Sequence, residues 1–406
     1  MLSLPFPGWV GWILLAALAL LSANPAAQAT PLTPDDVVQA ALSAPEVQEA
    51  DAAVATARAL RGQSTLLLHN PQLNASLVAG DRLELDVLQP LSLGGEGLAT
   101  HRLAARSLES AEATALRTRL EVAAGARLAY ADAVVAGRQL AIAASGAQLA
   151  ERLTAAVQRK HEEGEAALLD LRLARMAEAQ AAARLLDART AQTEALRALS
   201  AVTGLVIEGD ALLDDPLASA PLVSGGEVAE RSDVLAARSA LAAAEAERTR
   251  QRALSLPVVG VGLALDQDST ETVYGPAVSL SLPLFDRNQS GRAAAKGGVR
   301  AASAQLARTE SVADTERRTA EVRHQEAEAL QGGLGDDLVA EGEAALESVS
   351  RGYAAGQLDL IATVLLQAEI LEGQTAAISL IGRVAAARID LMLSTEDNTL
   401  LPGGGQ

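Results

Sequence analysis

The 406-residue chain contains no cysteine, only two lysines (Lys160 and Lys296) and 2% aromatic residues. Without cysteine it can form neither disulfide bonds nor thiolate metal sites, and it cannot carry a lipid on an N-terminal cysteine. Scarce aromatic residues argue against a thick globular core and favour closely packed helices. The net charge of −18 excludes the basic surface that nucleic-acid partners require.

The residues that are abundant, chiefly Ala, Leu, Glu and Arg, all favour helix. The N-terminus differs, because an apolar run from Val10 to Leu21 is followed by the small-x-small sequence Ala27-Gln28-Ala29. That pattern predicts a secretory signal peptide over residues 1–29. The run is shorter than the roughly 20 residues of a membrane-spanning helix.

The sequence after residue 29 indicates an internal duplication. Gly164 and Gly356 stand in similar sequences 192 residues apart, and the Pro-Leu pairs at Pro90 and Pro283 are 193 apart. Ala/Leu-rich helices resemble one another at any offset, but here the order of strands, turns and helix ends also agrees. We predict repeats over 30–203 and 227–396, a connector over 204–226 and a flexible tail over 397–406. Each repeat should contain a helix, a β-hairpin (71–93; 257–285), a long helix (97–159; 291–350) and a last helix (165–203; 357–393).

The long helices carry coiled-coil spacing. Leu128, Val135, Ile142 and Leu149 recur every seven residues in a stretch without proline. A helix over 97–159 would be roughly 95 Å long at 1.5 Å per residue. Its counterpart is interrupted at residues 332–335 by glycines, which predict a kink or local loop. Shorter helices are expected over about 34–66 and 228–252.

Four segments alternate apolar with polar or small residues and predict strands. Strands of about ten residues, when tilted, cross a bilayer. Four strands cannot close a barrel, and open edges in lipid leave backbone groups unpaired, so three copies should supply twelve strands. The alternative is a soluble helical body capped by two hairpins. The expected membrane-facing residues are Leu73, Leu77, Leu85, Val87, Val261, Leu263, Val278, Leu280 and Leu282.

Five short motifs occur in a characteristic order. They are Asn70-Pro71-Gln72-Leu73, the segment 89–95 (QPLSLGG), the segment 280–286 (LSLPLFD), Gly164 with Asp170, and Tyr353-x-x-Gly356. Together they resemble the TolC family of outer-membrane efflux channels. The resemblance implies a mainly α fold with a small β part, in which long antiparallel helices form a periplasmic α-barrel and a homotrimer forms a twelve-stranded transmembrane β-barrel. It also implies outer-membrane lipid around the barrel, a periplasmic adaptor, an inner-membrane pump and no enzymatic activity.

The sequence is consistent with more than one class of transported substrate. The QPLSLGG segment is similar to the heavy-metal efflux branch, in which a basic residue usually follows, whereas Glu96 follows here. Small solutes, either metal cations or drugs, are therefore expected. A channel for type I protein secretion and a periplasmic coiled-coil scaffold without a pore are the alternatives.

The helical tips carry the expected functional residues. Three copies would arrange each acid there as a ring, which attracts cations at a narrow opening; the alternative role for Asp170 and Asp359 is helix capping. The resemblance places adaptor docking and gating at these tips. Candidates are Glu162, Gly164, Asp170, Arg351, Tyr353, Gly356 and Asp359. No catalytic constellation, cofactor motif or metal-ligand spacing is found in the sequence.

Overall fold

The computed structural model describes residues 32–63, 70–78, 82–92, 94–207, 230–267, 271–333 and 337–402. The expected signal peptide and most of the expected connector lie outside these ranges. The elements are α1 Pro34–Ala41, α2 Pro45–Gln63, β1 Gln72–Val78, β2 Arg82–Ser92, α3 Glu96–Glu162, α4 Leu168–Thr203, α5 Ser232–Ala253, β3 Val258–Gln267, β4 Thr272–Ser281, α6 Gln289–Gly333, α7 Asp337–Ala354 and α8 Leu360–Thr395, followed by a 3-10 turn Asn398–Leu400.

The first helix is two helices rather than one, which corrects the expectation of a single helix over 34–66. Proline has no N–H and a fixed φ, so Pro45 is suited to begin a new helix and not to continue one. α1 begins with a capping box, in which the Asp36 N–H donates to the Thr33 hydroxyl and the Thr33 N–H donates to the Asp36 carboxylate. The Thr33 hydroxyl also donates to the Asp36 carboxylate at 2.6 Å, and this bond, followed by that from the Thr33 N–H, lowers the pKa of Asp36.

α3 has 67 residues and is about 100 Å long. The second repeat covers the same length with α6 and α7, which are separate helices on either side of residues 334–336. The expected break over 332–335 therefore overlaps the gap between these two helices. Among the described residues, no helix combines the length and apolar character of a membrane span.

The long helices form one layer in the order α4, α3, α8 and α6–α7. The two repeats meet where α3 packs against α8. A Cβ added to Gly146 of α3 would lie 2.8 Å from the Leu371 Cδ1 of α8, and one added to Gly382 of α8 would lie 2.8 Å from the Val135 Cγ2 of α3. Both glycines therefore allow a close approach of the helices, while α4 and α6–α7 remain at the edges of the layer.

One hydrophobic core joins α1, α3 and α4, and includes the fully buried Val37, Val38 and Leu199. The Tyr130 hydroxyl in this core donates to the Leu32 carbonyl at 2.9 Å. Residues 397–402 pack beside it, which corrects the expected flexible tail over those residues, while 403–406 lie outside the described ranges. Leu400 is fully buried, and Arg127 donates to its carbonyl at 3.1 Å. Burial of one leucine and capture of a carbonyl hold the segment in place.

Both repeats end their last helix in the same way. The residue after α4 is Gly204 with φ +68°, and the residue after α8 is Glu396 with φ +53°. These positions are 192 apart, and each N–H donates back to the fourth preceding carbonyl, Ser200 or Met392. Glycine adopts this left-handed conformation without strain, whereas glutamate does not.

The strands form one antiparallel sheet in the order β1-β2-β3-β4. The inner pair β2–β3 joins the two repeats, with Val87 opposite Leu263 and Asp86 opposite Ala264. Within the described chain, β1 and β4 each have a neighbour on one side only. The sheet therefore has two open edges.

Candidate functional site

The strand register separates the sheet into an apolar face and a polar face. Residues paired across neighbouring strands point to the same side, and the next pair points to the other. Leu73, Val87 and Leu263 form one apolar row, and Ala75, Leu85 and Leu265 form the next. Eight of the nine expected membrane-facing residues lie in strands on this face, while Leu282 follows the end of β4.

The apolar face is not covered by the other residues that the structure describes. Leu73 is 65% exposed, Leu77 75%, Leu263 69% and Val278 75%. A continuous exposed surface of large apolar side chains marks contact with lipid or with another protein. This surface and the open edges of the sheet together point to assembly of the strands in an apolar medium.

The polar face carries charged and small residues. Arg82 of β2 donates through Nε to the Asp266 carboxylate of β3 at 2.8 Å, and lies 3.6 Å from Glu84. Asp86 stands between Asn74 and Ala264 in the next polar row. A sheet with this separation can place one face against lipid and the other against water.

The first tip (residues 159–170) and the second tip (351–362) are turns of the same geometry. Gly164 has φ +80° and Gly356 has φ +73°. The N–H following each glycine donates across the turn, from Glu165 to the Lys160 carbonyl and from Gln357 to the Gly352 carbonyl, at 2.7 and 2.9 Å. The positive φ explains why glycine stands at both positions.

Asp170 and Asp359 cap helices, but in different ways. Asp359 is the N-cap of α8 and accepts the Ala362 N–H at 2.7 Å. Asp170 lies in the first turn of α4 and accepts the N–H of the N-cap residue Ala167 at 3.2 Å. With the 192-residue offset, Ala167 corresponds to Asp359, and Asp170 corresponds to Ala362. A capping box needs a side chain at both positions, so each repeat has one of its two side chains. Asp359 therefore lies before its helix and not just inside it.

The two tips contact each other within one chain. Lys160 Nζ lies 4.8 Å from the centroid of the Tyr353 ring, within cation–π distance. Beneath this contact lies an apolar cluster that draws residues from both repeats. Its members are Leu153, Val157, Leu171, Leu173 and Ala174 from the first repeat, and Tyr353, Leu360 and Val364 from the second. Burial, and then the negative charge of Asp170, raise the pKa of Tyr353.

Sequence reasoning did not select Lys160, although its rarity was a signal: it is one of two lysines in the chain. Among the expected tip residues, Glu162 and Arg351 are exposed. The Glu162 carboxylate accepts a hydrogen bond from Gln158 at 3.0 Å, and Arg351 lies 3.9 Å from Glu347. In the described part of the chain, no three acidic or histidine side chains are grouped to hold a metal ion.

Comparisons of the whole fold identify a class of proteins. The outer membrane protein VceC of Vibrio cholerae superposes with a TM-score of 0.71 at 19% identity, over 89% of this chain and 95% of that chain. The open state of the MtrE outer membrane channel of Neisseria gonorrhoeae superposes with a TM-score of 0.69 at 19% identity, over 92% and 91%. The chain therefore has the fold of outer-membrane channels, and the predicted mainly α fold with a small β part is confirmed.

The sequence is also similar to one named resistance protein. The nickel-cobalt-cadmium resistance protein NccC of Alcaligenes xylosoxydans xylosoxydans is 29% identical over 244 residues, which are 58% of this chain and 54% of NccC. The similarity thus spans about half the length of that relative. No protein-family model matches the chain.

Proposed function

We propose that this chain is the outer-membrane subunit of a tripartite export system and forms a passive trimeric channel for small solutes. The observation that carries the proposal is the sheet, which has one exposed apolar face, one polar face and two open edges. The long helices would form the periplasmic part, and a periplasmic adaptor and an inner-membrane pump would deliver the cargo. The similarity to NccC favours metal cations as that cargo.

The two open edges of the sheet support a homotrimer. Three copies of four strands give twelve, an even number within the range of bacterial outer-membrane barrels. In such a barrel β4 of one copy pairs with β1 of the next, and no edge remains.

The helical layer supports the same arrangement. Within one chain, Leu371 of α8 fills the space beside Gly146 of α3. The positions 192 residues away are Ala179, exposed on the edge helix α4, and Leu338 on the edge helix α7. The large residue is now on the helix that corresponds to α3 and the small one on the helix that corresponds to α8, so α7 of one copy can pack on α4 of the next with a total side-chain volume larger by only one methyl group.

The tips would form the periplasmic entrance. Asp170, Asp359 and Glu162 each become a ring of three charges in the trimer, and such rings favour cations and resist anions. The turns at Gly164 and Gly356 would be the surface that the adaptor contacts. Arg351 and Tyr353 would be contact or gating residues on the second tip.

Membrane fractionation, followed by gel mobility of the detergent extract with and without heating, tests the channel. We expect a trimer in the outer membrane that dissociates on heating. A matched pair of variants sharpens the test, because Leu263 lies mid-strand on the apolar face and Ala264 lies opposite Asp86 on the polar face. Leu263→Arg should cost about 2–4 kcal/mol near the bilayer centre and reduce the trimer, whereas Ala264→Arg should not. A soluble periplasmic monomer would instead favour the scaffold without a pore.

Conductance in lipid bilayers tests the acidic rings. Asparagine is as good an N-cap as aspartate, so Asp359→Asn removes charge while keeping the cap of α8. We expect Asp359→Asn combined with Asp170→Asn to lower the ratio of cation to anion permeability. Unchanged selectivity would show that these carboxylates serve only as caps.

A further inference from the structure

A groove runs along one face of the helical layer, over α3 and between α4 and α8. It encloses a cavity of about 500 Å³ within a single chain. Its floor is apolar, because Leu371 of α8 lies against Gly146 of α3 and Ile142 continues the same surface. Clefts of roughly 300–1,000 Å³ that combine a mainly apolar lining with a few polar groups are typical of sites for small molecules.

The walls of the groove carry three charged side chains. Arg184 and Asp187 are on α4, and Glu372 is on α8. All three are exposed, and none of them makes a hydrogen bond or ion pair with another residue that the structure describes. Two carboxylates against one guanidinium give the groove an excess of negative charge, which attracts cations.

The neutral polar groups of the groove already have partners in the chain. Gln139 donates to the Ser379 hydroxyl at 2.9 Å, and the Thr375 hydroxyl donates to the Leu371 carbonyl at 2.8 Å. A ligand would therefore be recognised by the three charged side chains and by the apolar floor.

The groove lies on the concave face of the layer. α4 and α8 flank α3 on opposite sides, and they also contact each other across it. At the tip, Leu171 of α4 and Leu360 of α8 meet in one apolar cluster with Leu153 of α3. Leu153 is one heptad beyond Gly146, and thus on the same face of α3 as the groove. Two helices that flank a third can meet only on the side towards which the layer curves.

The opposite face of α3 is covered by the C-terminal segment 397–402. Arg127 of α3 donates to the Leu400 carbonyl of that segment. Ala143, which lines the groove, is 16 residues after Arg127 and is therefore turned roughly 160° from it around the helix axis. In a closed ring of helices the concave face surrounds the axis, so the groove would line the duct.

We propose that this groove is a binding site for a small organic cation with an apolar body, on the wall of the duct. The apolar body lies on the floor formed by Ile142 and Leu371, and the positive group lies between Asp187 and Glu372 on opposite walls. A bare metal cation gains nothing from an apolar floor, so the groove adds a second class of solute. Its position in the duct rests on the proposed function, whereas the groove itself is formed by one chain.

Titration with ethidium, a planar aromatic cation, tests the site on the full chain in nanodiscs, with empty nanodiscs as the baseline. Asp187→Asn combined with Glu372→Gln should weaken binding roughly tenfold, since each exposed ion pair contributes up to a factor of about five. Arg184→Gln should tighten binding, because it removes a like charge. Glu178→Gln is the matched control and should leave the affinity unchanged, because Glu178 is nine residues before Asp187 and thus on the opposite face of α4.

A second variant tests the shape of the groove rather than its charge. Ala191 lines the cavity and is exposed, so Ala191→Leu should be tolerated while it fills part of the space and weakens ethidium binding. Anilinonaphthalene sulfonate, an aromatic anion of similar size, should bind the unchanged protein more weakly than ethidium does. Equal binding of the two dyes, or ethidium binding that is unaltered by Ala191→Leu or by the double variant, overturns the proposal.

Current in planar bilayers separates the binding site from the channel function. Ethidium should reduce the current of the unchanged protein, and should reduce it less in Ala191→Leu. A channel that conducts and is not blocked by ethidium overturns the position of the groove in the duct. A protein that binds ethidium with the expected pattern but carries no current refutes the channel function and leaves the binding site standing.

Discussion

Glu396 offers the sharpest test of how the end of the second repeat is held. Its side chain is 8% exposed, and its carboxylate accepts the Ser232 N–H at 2.8 Å and the Ser232 hydroxyl at 2.6 Å. It also lies 3.5 Å from Arg117 of α3. Glu396, in a left-handed conformation, thus accepts a backbone N–H in the first turn of α5 and pairs with Arg117 on α3.

The change in stability on substitution of Glu396 combines two opposing effects. Loss of its contacts destabilises the protein, whereas relief of its left-handed strain stabilises it. A hydrogen bond to a charged group contributes about 1.5–3 kcal/mol, and loss of a helix cap costs about 1 kcal/mol. Glu396→Ala should therefore destabilise the protein by about 3 kcal/mol. Glu396→Gly loses the same contacts, but it removes a left-handed strain of about 1 kcal/mol, so it should cost about 2 kcal/mol. Glu396→Gln keeps the shape and one acceptor and should cost about 1 kcal/mol.

Urea unfolding of the helical signal in detergent measures this series. The expected stability order is glutamate, glutamine, glycine and then alanine. Gly204→Ala, at the corresponding position after α4, is the matched control, because it introduces left-handed strain where no carboxylate contact is lost. An alanine variant at 396 as stable as the glycine variant would refute the strain argument. A whole series within 0.5 kcal/mol of the wild type, about the range of a neutral surface change, would refute the contact argument.

Three further outcomes are expected. Asp359→Ala should raise hydrogen exchange in the first turn of α8, since a lost N-cap costs about 1 kcal/mol, while Asp359→Asn should not. In an alkaline ultraviolet titration, Asp170→Asn should lower the apparent pKa of Tyr353, because it removes a negative charge that opposes phenolate formation; Tyr353→Phe identifies the signal. The hydrogen bond from Arg250 lowers the pKa of Glu247, so this pair stabilises the fold above the unfolded-state pKa and loses that effect as pH falls through the folded-state value. Glu247→Gln should accordingly flatten the acid side of the stability profile, and an unchanged profile would contradict this assignment.

The turns at the tips and the faces of the sheet were predictable because their signals are local. Gly164 and Gly356 are needed for positive φ, and strict alternation in the strands fixes which side chains share a face. The tips and the apolar face followed from these two rules. Helix bounds were less accurate where a single residue decides them, as at Pro45.

The remaining features depend on residues brought together from distant parts of the chain. Nothing near Glu396 indicates a left-handed residue, since its stabilising partners are Ser232 and Arg117, 164 and 279 positions away. The packing of 397–402 likewise depends on Arg127. Long-range contacts of this kind leave no periodic signal in the sequence.

The same distinction separates the two tips. Their backbone turns agree closely, because Gly164 and Gly356 both have positive φ and the N–H after each donates across the turn. The side chains that join the tips do not agree, since Lys160 and Tyr353 have Gly352 and His161 as counterparts. The cation–π contact therefore depends on two residues from different halves of the chain, and no comparison of one half with the other predicts it.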